Sequence, residues 1–121
     1  MILGTVAPDR EAAISLTLSG PHGQFDIRAI IDTGFNGWLS LPSDVIARLG
    51  LRWDGISRAE LADGSVSYFD IFEAIVHWDG IALSVSIDAA ETDPLVGMSL
   101  LWGFELRLRA EDGGLVTITR I

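Results

Sequence analysis

The sequence predicts an all-β domain, a small barrel or sandwich interrupted by one or two short helices. Period-two alternation of apolar and polar residues dominates the chain. Turn residues, glycine above all, recur between the alternating runs. Only one stretch combines the apolar face, the start and the stop of a convincing helix.

The strands follow in order. Ile14-Ser15-Leu16-Thr17-Leu18-Ser19 alternates cleanly, and Phe25-Asp26-Ile27-Arg28-Ala29 does the same. Ser19-Gly20-Pro21-His22-Gly23 divides them, so a hairpin over about Ile14–Ile31 is expected. Asp32-Thr33-Gly34 follows, and then an extended apolar segment, Trp38-Leu39-Ser40-Leu41-Pro42. The helix comes next. Ser43 can cap it, Asp44 suits its positive end, Val45, Ile46 and Leu49 share a face, and Gly50 stops it.

Asp63-Gly64 lies between Ala59–Ala62 and Ser65–Tyr68 and is a strong hairpin signal, because both residues tolerate positive φ. Val66 to Trp78 reads as one bent strand or two. Asp79-Gly80 turns the chain into Ile81–Ile87, whose branched apolar residues hold the odd positions. A short helix is expected after Pro94, around Gly97 to Trp102. Phe104–Arg109, the turn Asp112-Gly113-Gly114 and Leu115–Ile121 complete the pattern.

A chain of 121 residues with no linker, repeat or low-complexity stretch is expected to form one domain, residues 1–121. Apolar residues make up 49 % and the mean hydropathy is +0.39, more than a small monomer hides easily, which points to an oligomer interface. No apolar run reaches the roughly 18 residues that cross a bilayer. The N-terminus shows no basic and apolar signal pattern, so a cytoplasmic protein without membrane contact is expected. The absence of cysteine excludes disulfides, thiol catalysis and zinc–thiolate sites. Two histidines argue against a histidine-rich metal site. Eight basic against seventeen acidic residues, a net charge of −9, argue against nucleic-acid binding.

Asp32 is the candidate catalytic residue. It ends the apolar run Ala29-Ile30-Ile31, where a rigid strand would deliver a carboxylate to an exposed loop. Asp-Thr-Gly alone serves as readily for a plain turn. The longer order of features separates these readings: apolar strand, Asp-Thr-Gly, extended segment, helix, Asp63-Gly64 hairpin, and finally Leu95-Val96-Gly97-Met98.

That order resembles the retropepsin-like (clan AA) aspartic peptidases, single-domain relatives of the retroviral proteases. The stretch Ile31-Asp32-Thr33-Gly34-Phe35-Asn36-Gly37-Trp38-Leu39-Ser40-Leu41-Pro42 is most similar to their bacterial and archaeal Asp-Thr-Gly-Phe branch. The resemblance spans about Ile14 to Leu108 and implies a small closed acid-protease barrel. It implies an aspartic endopeptidase acting on a peptide or protein substrate, with neither metal nor cofactor.

Carried onto this sequence, the resemblance makes Asp32 the catalytic carboxylate. Thr33 would bond across a dimer and Gly34 would let backbone approach the carboxylate. Asp63 and Gly64 would lie at the tip of a substrate-covering flap, with Tyr68 on its arm. Leu95, Val96 and Gly97 would pack beside the catalytic loop. Phe35 stands where relatives usually carry a small residue, and could narrow the substrate pocket or pack inward. Asp-Thr-Gly occurs only once, so the second carboxylate would come from a second copy in a homodimer. The alternative reading is a non-catalytic module that holds an extended peptide on the same barrel. Trp38, Trp53, Trp78 and Trp102 are expected in core or dimer packing. His22 and His77 are expected to be structural, and Asp26, Asp70 and Asp88 to lie on solvated faces.

Overall fold

The computed structural model describes residues 1–121. The elements are β1 (Ile2–Val6), β2 (Ala12–Gly20), β3 (Gly23–Ile31), β4 (Leu39–Leu41), α1 (Ser43–Leu49), β5 (Arg52–Glu60), β6 (Val66–Trp78), β7 (Ile81–Ala89), β8 (Leu95–Val96), α2 (Met98–Leu101), β9 (Phe104–Leu108) and β10 (Leu115–Arg120). All ten strands join one sheet in the order β5-β6-β7-β4-β8-β3-β2-β1-β10-β9.

One further pairing settles barrel against sandwich. β2 also pairs with β6, from Thr17 opposite His77 to Ser19 opposite Ile75. That contact closes β2, β3, β8, β4, β7 and β6 into a six-stranded barrel. Closure leaves those strands without a free edge, the usual solution for a small all-β domain. β1, β10 and β9 extend the sheet past β2, and β5 stands beyond β6 as the outer arm of a hairpin.

The alternating pattern becomes the core directly. Ile14, Leu16 and Leu18 of β2 are buried while Ser15 between them is exposed. Leu18, Leu39, Leu41, Leu49, Val76, Ile87 and Val96 are fully buried in one cluster. Each such side chain contributes roughly 1.5–3 kcal/mol of transfer free energy. Trp78 joins them at 1 % exposure and meets Phe104 edge-on, with centroids 5.7 Å apart.

The turns obey their residues. Asp79 and Gly80 both take positive φ, 49° and 82°, in the two-residue loop that pairs Trp78 with Ile81. Gly50 closes α1 at φ 65°. Ser43, expected to cap α1, does not. Pro42 holds the cap position without a side-chain bond, and Ser43 is the first helical residue. Its backbone N–H is satisfied by Glu91 Oε1 at 2.9 Å instead. A carboxylate from the segment after β7 thus does the work expected of a local hydroxyl.

β6 is one strand of thirteen residues. β1 and most of β5 lie outside the expected strands. No helix is long and apolar enough to cross a membrane.

Candidate active site

Asp32 sits one residue past β3, where parallel pairing with β8 ends. Its N–H donates to Val96 O at 2.9 Å, which anchors the loop start to β8. Further along, Gly97 N–H donates to Trp38 O at 3.0 Å and Met98 N–H to Phe35 O at 2.8 Å. Ser99 adds its N–H to Gly37 O at 3.1 Å and its hydroxyl to Asn36 O at 2.6 Å. The loop between β3 and β4 is therefore held along its length by the β8–α2 corner. Leu95-Val96-Gly97 does pack beside the Asp32 loop.

Within the loop, Gly34 N–H donates to Asp32 Oδ1 at 2.9 Å, fixing the carboxylate. Gly34 needs no positive φ. A Cβ there would stand 3.2 Å from Asp32 Oδ1, so close approach is what glycine supplies.

Phe35 packs inward and still reaches the pocket. Its ring lies in a slot left by two glycines. A Cβ on Gly37 would come 2.5 Å from Phe35 Cζ, and one on Gly97 would come 2.7 Å from Phe35 Cδ2 and overlap Gly37 O. The extra volume of the phenyl group is absorbed by absent side chains.

A cavity of about 550 Å³ opens at this loop. Asp32, Gly34, Phe35 and Tyr68 all line it, together with Ser40, Phe69, Asp88 and Leu95. That volume is in the usual range for a ligand site. Tyr68 enters from β6 although it is 68 % exposed overall. Thr33 is exposed and does not line the cavity. A second hollow of about 440 Å³, bounded by Val6, Pro8, Arg10 and Leu108 among others, shares no residue with the Asp32 loop.

Asp63 and Gly64 lie outside the cavity lining, at the tip of the β5–β6 hairpin. Gly64 takes φ +84°, and a Cβ on it would meet nothing within 4 Å. Asp63 accepts the N–H and the hydroxyl of Ser65, at 2.9 and 2.5 Å. The Ser65 hydroxyl bond is the main reason its carboxyl titrates below the ordinary range. It acts as a turn former.

Asp88 departs from expectation. It was expected on a solvated face, yet it lines the Asp32 cavity and is only partly exposed. Burial raises its pKa above the ordinary carboxylate value. Alternation alone marks it as an outward polar residue of β7. Only the approach of β4 and the Asp32 loop turns that outward face into a cavity wall.

Asp26 and Asp70 are exposed, as expected. His77 Nε2 bonds Ser19 Oγ at 2.9 Å, and neither residue lines the cavity. Trp78 is core, whereas Trp53 and Trp102 are 56 % and 79 % exposed.

Sequence comparison finds no matching protein-family model and no matching curated protein. Comparison of folds does find a similar structure. The crystal structure of a retropepsin-like aspartic protease from Rickettsia conorii superimposes with a TM-score of 0.60. The alignment covers 99 % of this chain and 90 % of that one, at 18 % identity. The fold is retropepsin-like. In this retropepsin-like barrel the Asp32 loop, β6, the end of β7 and the segment leading into β8 surround one cavity.

Proposed function

We propose that residues 1–121 form one domain of a homodimeric aspartic endopeptidase, with an active site made from Asp32 of each copy. The observation that carries this reading is the placement of Asp32. It stands in the wall of a ligand-sized cavity, fixed by Gly34 N–H, on a loop clamped by β8 and α2 in a retropepsin-like barrel. Thr33 supports the dimer, since it is exposed and no hydrogen bond ties its side chain to its own chain. The aromatic surface beside the loop adds to this. Trp38 and Trp102 are 40 % and 79 % exposed and flank a shallow hollow with Asn36, Met98 and Ser99. A second copy covering that hollow would remove costly apolar surface from water.

The chemistry follows from two carboxylates in close approach. Both cannot ionise easily, so the pair shares one proton. The ionised Asp32 takes a proton from a bound water as its oxygen attacks the peptide carbonyl carbon. The protonated Asp32 donates to the carbonyl oxygen, giving a tetrahedral diol. Collapse re-forms the carbonyl, breaks the C–N bond and delivers a proton to the leaving nitrogen. The β5–β6 hairpin, with Asp63 and Gly64 at its tip and Tyr68 on its arm, closes over the peptide. The reaction uses no cofactor, and a cytoplasmic location suits a chain without cysteine.

The test is Asp32→Asn. Peptide cleavage should be lost while the fold and the dimer persist. Equal cleavage by the purified variant would refute the dyad, and a strict monomer at high concentration in analytical centrifugation would refute the shared site.

A further inference from the structure

Asp88 is the carboxylate in the Asp32 cavity that this chemistry leaves unused. Burial is the one influence on its titration, with no cation and no hydrogen-bond donor of the chain offsetting it. The other ionisable groups lining the cavity, Asp32 and Tyr68, supply no positive charge. A partly buried carboxylate left this way is unfavourable unless something outside the chain pairs with it.

A second, independent feature sits next to it. Ser40 of β4 lies opposite Asp88 of β7 across their parallel ladder, so the two side chains leave the sheet on the same face. Ser40 is 3 % exposed, lines the same cavity, and its hydroxyl has no hydrogen-bond partner. Buried hydroxyls are almost always bonded. A buried hydroxyl without a partner, beside a partly exposed carboxylate that no donor of the chain bonds, marks a place prepared for a ligand group.

The rest of the wall states which group. Phe35, Phe69, Ala89 and Leu95 are apolar. A long aliphatic stem with a cationic head matches an apolar wall that ends in a carboxylate. The net charge of −9 draws cationic peptides toward the protein as a whole.

We propose that Asp88 is a specificity-determining residue that receives a lysine or arginine side chain of the bound peptide, with the Ser40 hydroxyl on the same face as a further acceptor for that cationic head. The substrate class rests on the aspartic peptidase reading, whereas the cation site rests on Asp88 and Ser40 themselves.

A peptide library carrying lysine, arginine or the uncharged isosteres norleucine and citrulline at each position tests it. Wild type should cleave the cationic members faster by roughly tenfold or more, the usual effect of a hydrogen-bonded charge. Asp88→Asn should lose that preference, cleaving cationic members no faster than their neutral isosteres, and a cooperative thermal transition checks that it folds. Asp88→Ser repeats the comparison with a second neutral side chain, and Ser40→Ala should weaken the preference without abolishing it. No charge preference in wild type, or an unchanged preference in the Asp88 variants, overturns the proposal and leaves the peptidase reading standing. If wild type cleaves nothing, the peptidase reading falls, and calorimetric binding of the same peptides decides. Cation-selective binding lost in Asp88→Asn then upholds the site, and binding indifferent to charge overturns it.

Discussion

Gly97 and Phe35 share one volume: a Cβ on Gly97 would come 2.7 Å from Phe35 Cδ2. The same Cβ would overlap the carbonyl of Gly37, which is backbone and cannot swing aside. Gly97 also donates its N–H to Trp38 O, so its own backbone is held. Gly97→Ala should therefore cost about 1–3 kcal/mol, as overpacking does. Urea denaturation would read this as a lower midpoint at unchanged slope. The double variant Gly97→Ala with Phe35→Ala should not recover fully, because the clash with Gly37 O remains.

Much of this arrangement could be read before folding. The β2–β3 hairpin, α1, α2, the Asp79-Gly80 turn and the loop carrying Asp32 all follow from local pattern and turn chemistry. β1 escaped because Gly4 interrupts its alternation. A Cβ on Gly4 would collide with Ala13 O, so close packing on β2 removed the apolar residue that would have marked the strand. β5 escaped for a different reason. Its hairpin arm leaves the barrel, Trp53 and Ile56 are 56 % and 64 % exposed, and the ladder slips between Trp53 and Gly55. An arm with two wet faces and a bulge has no period to detect. Asp88 was hidden because a cavity wall belongs to several strands at once, and no single strand records it.

The β5–β6 tip gives a second prediction. Gly64 holds φ +84° in a loop closed by Leu61 N–H to Ser65 O at 2.7 Å. A β-branched residue there is strained wherever it points, by roughly 1–2 kcal/mol. The hairpin tip lies outside the barrel core, so the strain should stay local. Gly64→Val should speed amide exchange in residues 61–65 and leave the exchange of β2 and β3 unchanged. Peptide KM should rise. Faster exchange throughout the barrel would contradict a separable flap.

Trp102 tests the interface. At 79 % exposure it buries little within its own chain, so Trp102→Ser should change the stability of the monomer by no more than about 0.5 kcal/mol. If the hollow between Trp38 and Trp102 is covered by a second copy, the same change removes a large aromatic contact there. Buried aromatic anchors commonly contribute 2 kcal/mol or more, so roughly a thirtyfold weaker dimer is expected by sedimentation equilibrium. An unchanged dimerisation constant would move the interface elsewhere.

Asp88 gives the pH dependence. Burial raises its folded-state pKa above the unfolded value, so the folded chain holds that proton more tightly. The sign is then fixed. Stability is greatest below the unfolded pKa and is lost as pH rises through the folded one. At neutral pH the ionised, unpaired Asp88 is a constant liability. Asp88→Asn removes it, so the variant should melt above wild type near pH 7 and coincide with it near pH 3, where both side chains are neutral. The gain should stay below ~1 kcal/mol, because a half-exposed charge is partly screened. Asp32 and Tyr68 share the cavity, yet neither contributes to the Asp88 shift, so the difference should survive in an Asp32→Asn background. Equal destabilisation at both pH values would mean instead that Asp88 makes a favourable contact in the folded chain. Adding a lysine-containing peptide at neutral pH should raise the melting temperature of wild type and leave Asp88→Asn nearly unmoved, since a ligand stabilises only the state that binds it.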